Sequence, residues 1–298
     1  AGRHRETGNL VFNIFLVFVL VGVGWNTLWG FKGTSVVVEG QGFSNSITQY
    51  DEFKAGAMVD TDNLTPFSMK LRKFVVSFET GTVQRGAARS FDATVDLTMG
   101  GKTQTRDLQV NHPLRIGSTK VHLLGHGYAA DVVVRDGDGK VAYSGPVVFL
   151  PQDANFKSVG VIKAPDARPD RLAFQGFFLP TGAITAGGPT SLFPDALNPQ
   201  LYLTAWYGKP TVETGVPSNI YTLDTTGLTQ VTNGKDKARF VLSPGQRYKL
   251  PDGKGSIQFN GWQRWAKIQV SQNPGLPLTF LSVVLSVAGL CVLSLIHI

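Results

Sequence analysis

Three histidines lie close together in the sequence and are the residues most similar in type and spacing to the ligands of a metal or haem site: His112, His122 and His126. Imidazole nitrogens ligate metal ions and haem iron. On a helix, His122 and His126 would share one face because they are four residues apart. Gly125 and Gly127 favour a strand instead, in which four residues span about 13 Å. One metal ion could not then bind both, so ordinary hydrogen-bonded histidines are the default interpretation and haem or metal ligation is the alternative.

Two tryptophans, Trp262 and Trp265, lie shortly before an apolar C-terminal segment. Amphipathic indole rings commonly anchor a protein at the membrane–water interface. A flat aromatic surface beside a porphyrin is the alternative, because aromatic side chains often line ligand pockets. The haem-binding candidates of this chain are therefore His122, His126, Trp262 and Trp265.

Motifs for catalysis or metal binding are missing from the sequence. Asp136-Gly-Asp-Gly-Lys140 resembles the start of a calcium loop but lacks the later glutamate, so it predicts a hairpin turn. There is no Gly-x-Ser-x-Gly elbow, His-Glu-x-x-His helix or phosphate-binding loop. Cys291 is the only cysteine, which excludes a disulfide, a Cys-x-x-Cys reductase and a haem attachment site on this chain. We assign no catalytic residue and no metal site, and we do not expect catalysis by this chain alone.

The segment from Leu10 to Trp29 contains no charged residue. A helix of this length spans about 30 Å, the thickness of the hydrocarbon core of a bilayer. Trp25 and Trp29 suit the headgroup level, and Asn13 should face another helix rather than lipid. We predict a transmembrane helix over residues 10–31. A cleaved signal peptide is the alternative, but its apolar region is usually shorter, about 7–15 residues, and ends in small residues.

A second apolar segment, without charged side chains, predicts a transmembrane helix over residues 275–298. Arg3 and Arg5 precede the first span, so the positive-inside rule places residues 1–9 in the cytoplasm. Residues 32–274 then lie on the extracytoplasmic side of a multi-pass plasma-membrane protein. The chain begins without methionine and stops inside an apolar segment, so we expect a fragment of a longer membrane protein that lacks upstream spans.

Short β-branched and alternating apolar runs recur between the two spans and are separated by glycine-rich turns. They predict a mainly β domain with an antiparallel sandwich or barrel-like fold. Prolines are frequent in residues 151–217, so we expect no long strands there and either a second lobe or an excursion. Short helices are predicted around Tyr50–Phe53 and Thr190–Leu197. The predicted strands are Ser35–Val38, Leu71–Phe78, Phe91–Thr98, Val121–Leu124, Asp131–Val134, Val147–Leu150, Tyr202–Trp206, Phe240–Leu242, Ser256–Phe259 and Lys267–Val270.

The formal net charge of +7 is spread along the chain rather than clustered. This distribution argues against a nucleic-acid partner. It suits contact with the lipid bilayer or with an acidic partner. The 34 glycines and 16 prolines argue against a helical bundle, and the 42% hydrophobic content argues against disorder.

Several motifs, in this order, resemble the ResB/Ccs1 family of cytochrome c biogenesis proteins. They are Glu6-Thr-Gly-Asn-Leu-Val-Phe12, Val37-Val-Glu-Gly40, Tyr50-Asp-Glu-Phe53, Val110-Asn-His-Pro-Leu114, Gly125-His-Gly-Tyr128 and Asn273-Pro-Gly275. The resemblance covers nearly the whole chain. Members of the family often have a histidine where this chain has Asn13, so the resemblance does not carry a haem ligand onto this helix.

The resemblance implies a subunit that pairs with a ResC/CcsA-like polytopic, tryptophan-rich haem-handling protein. Together they would deliver haem across the membrane and attach it to apocytochrome c on the outer face. We expect this subunit to act as a scaffold or chaperone, with haem present at the level of the complex. A membrane-anchored ligand-binding or sensor module without a haem role is the alternative.

Overall fold

The structure is a computed structural model that describes residues 2–211 and 219–295, and the side chains of residues 6–211 and 219–294. The last three residues of the predicted second span therefore lie outside the described residues. The side chains of Arg3 and Arg5, on which the orientation in the membrane depends, lie outside them as well.

Two apolar helices lie at the ends of this part of the chain, α1 (Gly2–Trp29) and α2 (Leu276–Leu295). Each contains a segment that is long and apolar enough to cross a membrane, Glu6–Trp29 in α1 and Leu276–Ser294 in α2. The two predicted membrane helices are thus present. Helix α1 begins well before the predicted start, because the polar N-terminal residues continue the helix, and it ends two residues before the predicted end.

Between the helices the described chain is mainly β, as predicted. The strands are β1 (Phe31–Val38), β2 (Gly42–Ser44), β3 (Glu52–Ala55), β4 (Ser68–Phe78), β5 (Ala88–Met99), β6 (Lys102–Gln109), β7 (Leu114–Ile116), β8 (Thr119–Asp136), β9 (Val141–Pro151), β10 (Ser158–Ala164), β11 (Arg171–Leu179), β12 (Gly182–Thr185), β13 (Gly188–Ser191), β14 (Gln200–Gly208), β15 (Leu228–Gln230), β16 (Thr232–Asn233), β17 (Asp236–Lys237), β18 (Arg239–Leu242), β19 (Arg247–Lys249) and β20 (Gly255–Gln272).

A large antiparallel sheet organises the domain, with the strand order β15-β14-β11-β10-β9-β8-β20-β1-β3. Strands β18, β19 and β7 pair with β14, β20 and β8 beside this path. A second antiparallel sheet has the order β2-β4-β5-β6. The hairpin between β8 and β9 is the predicted turn at Asp136, whose Oδ1 accepts hydrogen bonds from the N–H groups of Asp138 and Lys140 at 3.0 and 2.9 Å.

Strands β8 and β20 are each 18 residues long and pair along almost their whole length. Their length allows one pair of strands to serve two hydrophobic cores. One core lies among β8, β9, β10, β11, β14 and β20, and includes Tyr128 and Phe149. The other lies between the start of β8, the end of β20 and the second sheet, and includes Val121 and Ile268.

The prediction that residues 151–217 form no long strands is wrong. Strands β10, β11 and β14 lie in this range and continue the main sheet from β9. Between β11 and β14 the chain leaves this sheet, and β12 and β13 pair with each other in a separate two-stranded sheet. Two of the prolines flank strands, where a missing N–H does no harm: Pro151 ends β9 and Pro180 follows β11. Residues 212–217 lie outside the described residues.

The two short predicted helices are also wrong. The chain forms a 3-10 turn at Ile47–Gln49 and then β3, so Tyr50–Phe53 is not helical. Strand β13 ends at Ser191, and the residues up to Leu197 form bends rather than a helix. Neither stretch has the 3.6-residue apolar period that would favour a helix over local turn chemistry.

The two terminal helices are attached to neighbouring strands. Helix α1 leads directly into β1, and β20 leads directly into α2, while β1 and β20 pair with Phe31 opposite Gln272. The helices therefore leave the domain side by side and pack on each other. Glycines permit the close contact, because a Cβ on Gly22 would lie 2.4 Å from Thr279 Oγ1 and one on Gly8 would lie 3.2 Å from Gly289 O.

Candidate functional site at the junction of the two sheets

A β-bulge lies between His122 and His126, the two histidines that were candidate ligands of one metal ion. Gly125 pairs with Lys267 and Leu123 pairs with Ile268, which leaves Leu124 without a partner in β20. His126 is opposite Ala266 and His122 is opposite Gln269. These partners are three residues apart in β20, an odd number, so the two imidazoles point to opposite faces of the sheet. The strand was predicted correctly, but the bulge that separates the two faces was not.

His126 occupies an aromatic cluster where the two sheets meet. Its ring stacks on Phe156 at 4.7 Å between centroids, and it lies 5.0 Å from Phe91 and 5.8 Å from Phe74. Phe78 completes the surroundings at 6.4 Å. Three of these phenylalanines belong to β4 and β5 of the second sheet. We call His126 with these four rings the aromatic junction.

The imidazole of His126 is held in its neutral form. Burial among the phenylalanines lowers its pKa to about 4, and the positive charge of Arg264 acts in the same direction. Its Nδ1 is buried and has no hydrogen-bond partner among the described residues. At neutral pH this side chain therefore acts as an uncharged aromatic ring with one free polar nitrogen.

Arg264 brings a buried positive charge to the border of the junction. Its guanidinium lies 4.9 Å from the ring centroid of Tyr128 and 5.5 Å from that of Trp262, so cation–π contacts support it. Nη2 donates a 2.8 Å hydrogen bond to Oδ1 of Asp195, while Nη1 has no partner among the described residues. The Tyr128 hydroxyl donates to the carbonyl of Pro194 at 2.7 Å. These bonds hold the segment after β13 against β8 and β20.

The tryptophans of β20 are parts of this packing. Trp265 is 4% exposed, and its Nε1 donates to the carbonyl oxygens of Tyr128 and Phe149 at 2.9 and 3.0 Å. An interfacial anchoring role for Trp265 is therefore wrong, because the ring is inside the domain. Trp262 is half-buried and meets Tyr128 edge to face at 5.3 Å. Trp265 therefore presents no free flat surface on which a porphyrin could stack, whereas a haem contact of Trp262 stays a prediction.

The other histidines lie apart from the junction. His122 is half-buried on the opposite face, and burial, with a contribution from Lys120, lowers its pKa. His112 is exposed and lies just after β6. Within residues 2–211 and 219–295, no group of three or more His, Cys, Asp and Glu side chains is arranged to hold a metal ion.

The geometry of the junction favours packing over ligation. A porphyrin ligated by His126 would have to displace at least one of the four phenylalanine rings around the imidazole. The buried Nδ1 of this neutral imidazole also has no hydrogen-bond partner among the described residues with which it could exchange a proton. What the cluster does is fix the second sheet, the main sheet and the segment after β13 in one arrangement. Sequence reasoning selected His126 but missed its phenylalanines, which are far apart in the chain.

A sequence model of the ResB-like family matches residues 1–297. The chain belongs to the ResB-like family. This family is involved in cytochrome c biogenesis, which is the general role of the protein. A comparison with curated proteins finds no match. Together with the two apolar helices, the family makes this chain a membrane protein.

Asn13, the polar residue predicted to face another helix, is bonded within the first helix of this ResB-like protein. Asn13 is exposed, and its amide donates to the backbone carbonyl of Asn9 at 2.8 Å and to the Asn9 side chain at 3.0 Å. Packing of Asn13 on another helix therefore stays a prediction. Trp25 and Trp29, the other two membrane candidates, are 47% and 43% exposed at the end of α1 nearest the domain.

Two cavities that the sequence did not predict lie away from the aromatic junction. One, of about 420 Å³, lies on β10, β11 and β14 and is partly covered by Tyr221 and Leu223. The other, of about 330 Å³, lies where the two helices join the domain, beside Trp25 and Trp29. Both are formed by residues distant in sequence, so no local pattern could have identified them.

Proposed function

We propose that this ResB-like chain is the scaffold subunit of a membrane complex that delivers haem and attaches it covalently to apocytochrome c on the extracytoplasmic face. The family match across residues 1–297 carries this proposal. A large β domain held between two apolar helices supports it, because such a domain is suited to hold a protein substrate beside the membrane.

In this proposal a ResC/CcsA-like polytopic protein is the partner and supplies the haem ligands. The two histidines of β8 point to opposite faces, and the ring of His126 is enclosed by phenylalanines. Haem attachment, the addition of two cysteine thiols to vinyl groups, then takes place on the partner. This subunit contributes position and orientation, which by themselves can accelerate a bimolecular step by orders of magnitude.

The lack of thiols in the β domain fits a chaperone for a reduced apocytochrome. Cys291 lies in α2, and the chain has no other cysteine. Substrate thiols near the domain would therefore meet no thiol with which to form a mixed disulfide. A scaffold of this kind protects the reactivity of the substrate without taking part in the chemistry.

Co-purification tests the proposal. We expect the chain expressed alone to purify without haem, and the chain expressed with a ResC/CcsA-like partner to give a haem absorption spectrum and to restore c-type cytochromes to cells that lack this subunit. His122→Ala and His126→Phe should retain the spectrum of the complex. A bis-histidine haem spectrum from the chain alone that disappears in either variant would contradict the scaffold role.

A ligand-binding or sensor module without a haem role is the second candidate function. The cavity of about 420 Å³ on β10, β11 and β14 favours it. A volume of this size lies in the range of small-ligand sites, about 300–1,000 Å³. If the chain is a ligand-binding or sensor module, cells without it should still assemble c-type cytochromes. A normal haem stain of their membranes would then favour the sensor over the scaffold.

A further inference from the structure

The cavity of about 330 Å³ lies at the level where both membrane helices join the β domain. Trp25 and Trp29 line it from the end of α1, and Pro274 lines it two residues before α2 begins. Since the membrane-crossing part of α1 ends at Trp29, this level is that of the lipid headgroups. The cavity therefore opens where headgroups are the most abundant small ligands.

Another part of the cavity wall is a loop that is fastened to the end of α1. The N–H of Gly56 donates to the carbonyl of Gly30, and the N–H of Met58 donates to that of Leu28, both at 2.9 Å. A Cβ on Gly56 would lie 2.3 Å from the carbonyl oxygens of Thr27 and Leu28, so only glycine allows this approach. The loop thus closes the C-terminal end of the helix and places the following residues beside the indole rings.

The charge of the residues that line the cavity favours a cationic ligand. Asp60 is the only charged residue among those that line it, and no lysine or arginine does. Hydrogen bonds from the Asn63 amide at 2.7 Å and the Asp62 N–H at 3.1 Å orient its carboxylate and lower its pKa, so it is ionised at neutral pH. Exposed indole rings also attract cations through their faces.

We propose that this cavity binds the ammonium headgroup of a membrane lipid, with Trp25, Trp29 and Asp60 as the recognition groups. Aromatic ring faces attract organic ammonium ions, and an ionised carboxylate beside them adds an attraction between opposite charges. The volume is at the lower end of small-ligand sites and accommodates a headgroup, while the acyl chains remain in the bilayer beside α1. A phosphatidylethanolamine-type lipid is the occupant with this chemistry, and an anionic lipid is disfavoured by Asp60.

Native mass spectrometry of the purified full chain tests this assignment. The probe is an equimolar mixture of phosphatidylethanolamine and phosphatidylglycerol with identical acyl chains. We expect several-fold more phosphatidylethanolamine than phosphatidylglycerol to be retained, and we expect Asp60→Asn and Trp29→Leu each to reduce this ratio several-fold. Asp62→Asn is the matched control. It removes an equal charge two residues from Asp60, and the Asp62 side chain does not line the cavity. Its ratio should not change.

Three outcomes would overturn the assignment. Equal retention of the two lipids would exclude a selective headgroup site. An equal loss of selectivity in Asp60→Asn and Asp62→Asn would indicate diffuse surface charge rather than a site. A variant Asp60→Asn with unchanged lipid selectivity but weaker co-purification of the ResC/CcsA-like partner would show that a cationic side chain of a protein occupies the cavity instead. Because the lipid measurement involves neither haem nor the proposed partner, its result does not depend on the proposed function.

Discussion

At the scale of single residues, two side chains illustrate how this domain depends on exact fit. Gly127 has no side chain, and the indole of Trp265 fills that space, since a Cβ there would lie 2.3 Å from Cζ2 of the ring. The indole N–H in turn bridges two neighbouring strands through Tyr128 O and Phe149 O. The tryptophan therefore links β8, β9 and β20 from the middle of the sheet.

We predict that Gly127→Ala destabilises the domain by about 1–3 kcal/mol, because the added methyl group must displace a buried ring. For a protein of this size the melting temperature should fall by about 2–4 °C per kcal/mol. Thermal unfolding followed by tryptophan fluorescence in detergent measures the effect. Gly125→Ala is the control, as its Cβ would meet no atom within 4 Å. Equal loss in both variants would contradict the fit described for Trp265.

His126 makes stability depend on pH. An unfolded histidine takes up a proton near pH 6.5, whereas in the folded state burial among phenylalanines lowers the pKa of His126 to about 4. Between these values the unfolded state binds more protons, so the contribution of His126 to stability is complete above pH 6.5 and is lost as the pH falls toward 4. His126→Phe keeps a ring in the junction and removes the titration.

The measurement is the slope of melting temperature against pH over that window. We expect a shallower slope in His126→Phe than in the wild type, with some slope remaining because burial lowers the pKa of His122 as well. Identical slopes in wild type and His126→Phe would show that the imidazole is not excluded from water as the structure indicates.

At the scale of elements, the sequence predicted pieces of strands better than whole strands. Val121–Leu124 and Asp131–Val134 were predicted separately, but both belong to β8. The glycines between them look like a break, yet the strand continues there because Trp265 from β20 fills the space above Gly127. Such a cross-strand partner, 138 positions away from the glycine, cannot be recognised from local pattern.

The candidate site shows the same limit. His126 was selectable from its residue type, but the bulge at Leu124 that turns it away from His122 depends on pairing with β20. The ion pair between Arg264 and Asp195 joins residues separated by 69 positions. Alternation and turn residues report local conformation, whereas these features arise when distant strands meet.

The helix pair gives a prediction at this scale. Gly22→Leu should separate α1 from α2, since even a Cβ at Gly22 would lie 2.4 Å from Thr279 Oγ1 and 2.9 Å from Thr279 N. Small residues at such positions let membrane helices approach closely. We expect a lower yield of folded protein in detergent and a lower melting temperature. Gly24→Leu, on an open part of the same helix, should have little effect. A harmless Gly22→Leu would mean that the helices do not pack at this glycine.

At the scale of the whole molecule, the attachment of both helices to paired strands joins membrane and domain into one unit. Strands β1 and β20 are connected to α1 and α2. They also lie within the main sheet, which continues to β10, β11 and β14, the strands that form the cavity of about 420 Å³. A scaffold needs this kind of rigidity, because a substrate held by a domain on loose linkers would sample many orientations relative to the membrane.

The proposed role requires the β domain to be extracytoplasmic, and a single labelled position tests it. In a Cys291→Ser background, Asp138→Cys places one thiol in the exposed hairpin between β8 and β9, where the side chain of Asp138 makes no hydrogen bond that the turn needs. We expect a membrane-impermeant maleimide to label this thiol in intact cells to the same extent as after permeabilisation. The background protein without Asp138→Cys should remain unlabelled. Labelling that appears only after permeabilisation would put the domain in the cytoplasm, where it could not present apocytochrome c on the outer face, and the scaffold proposal would have to be abandoned.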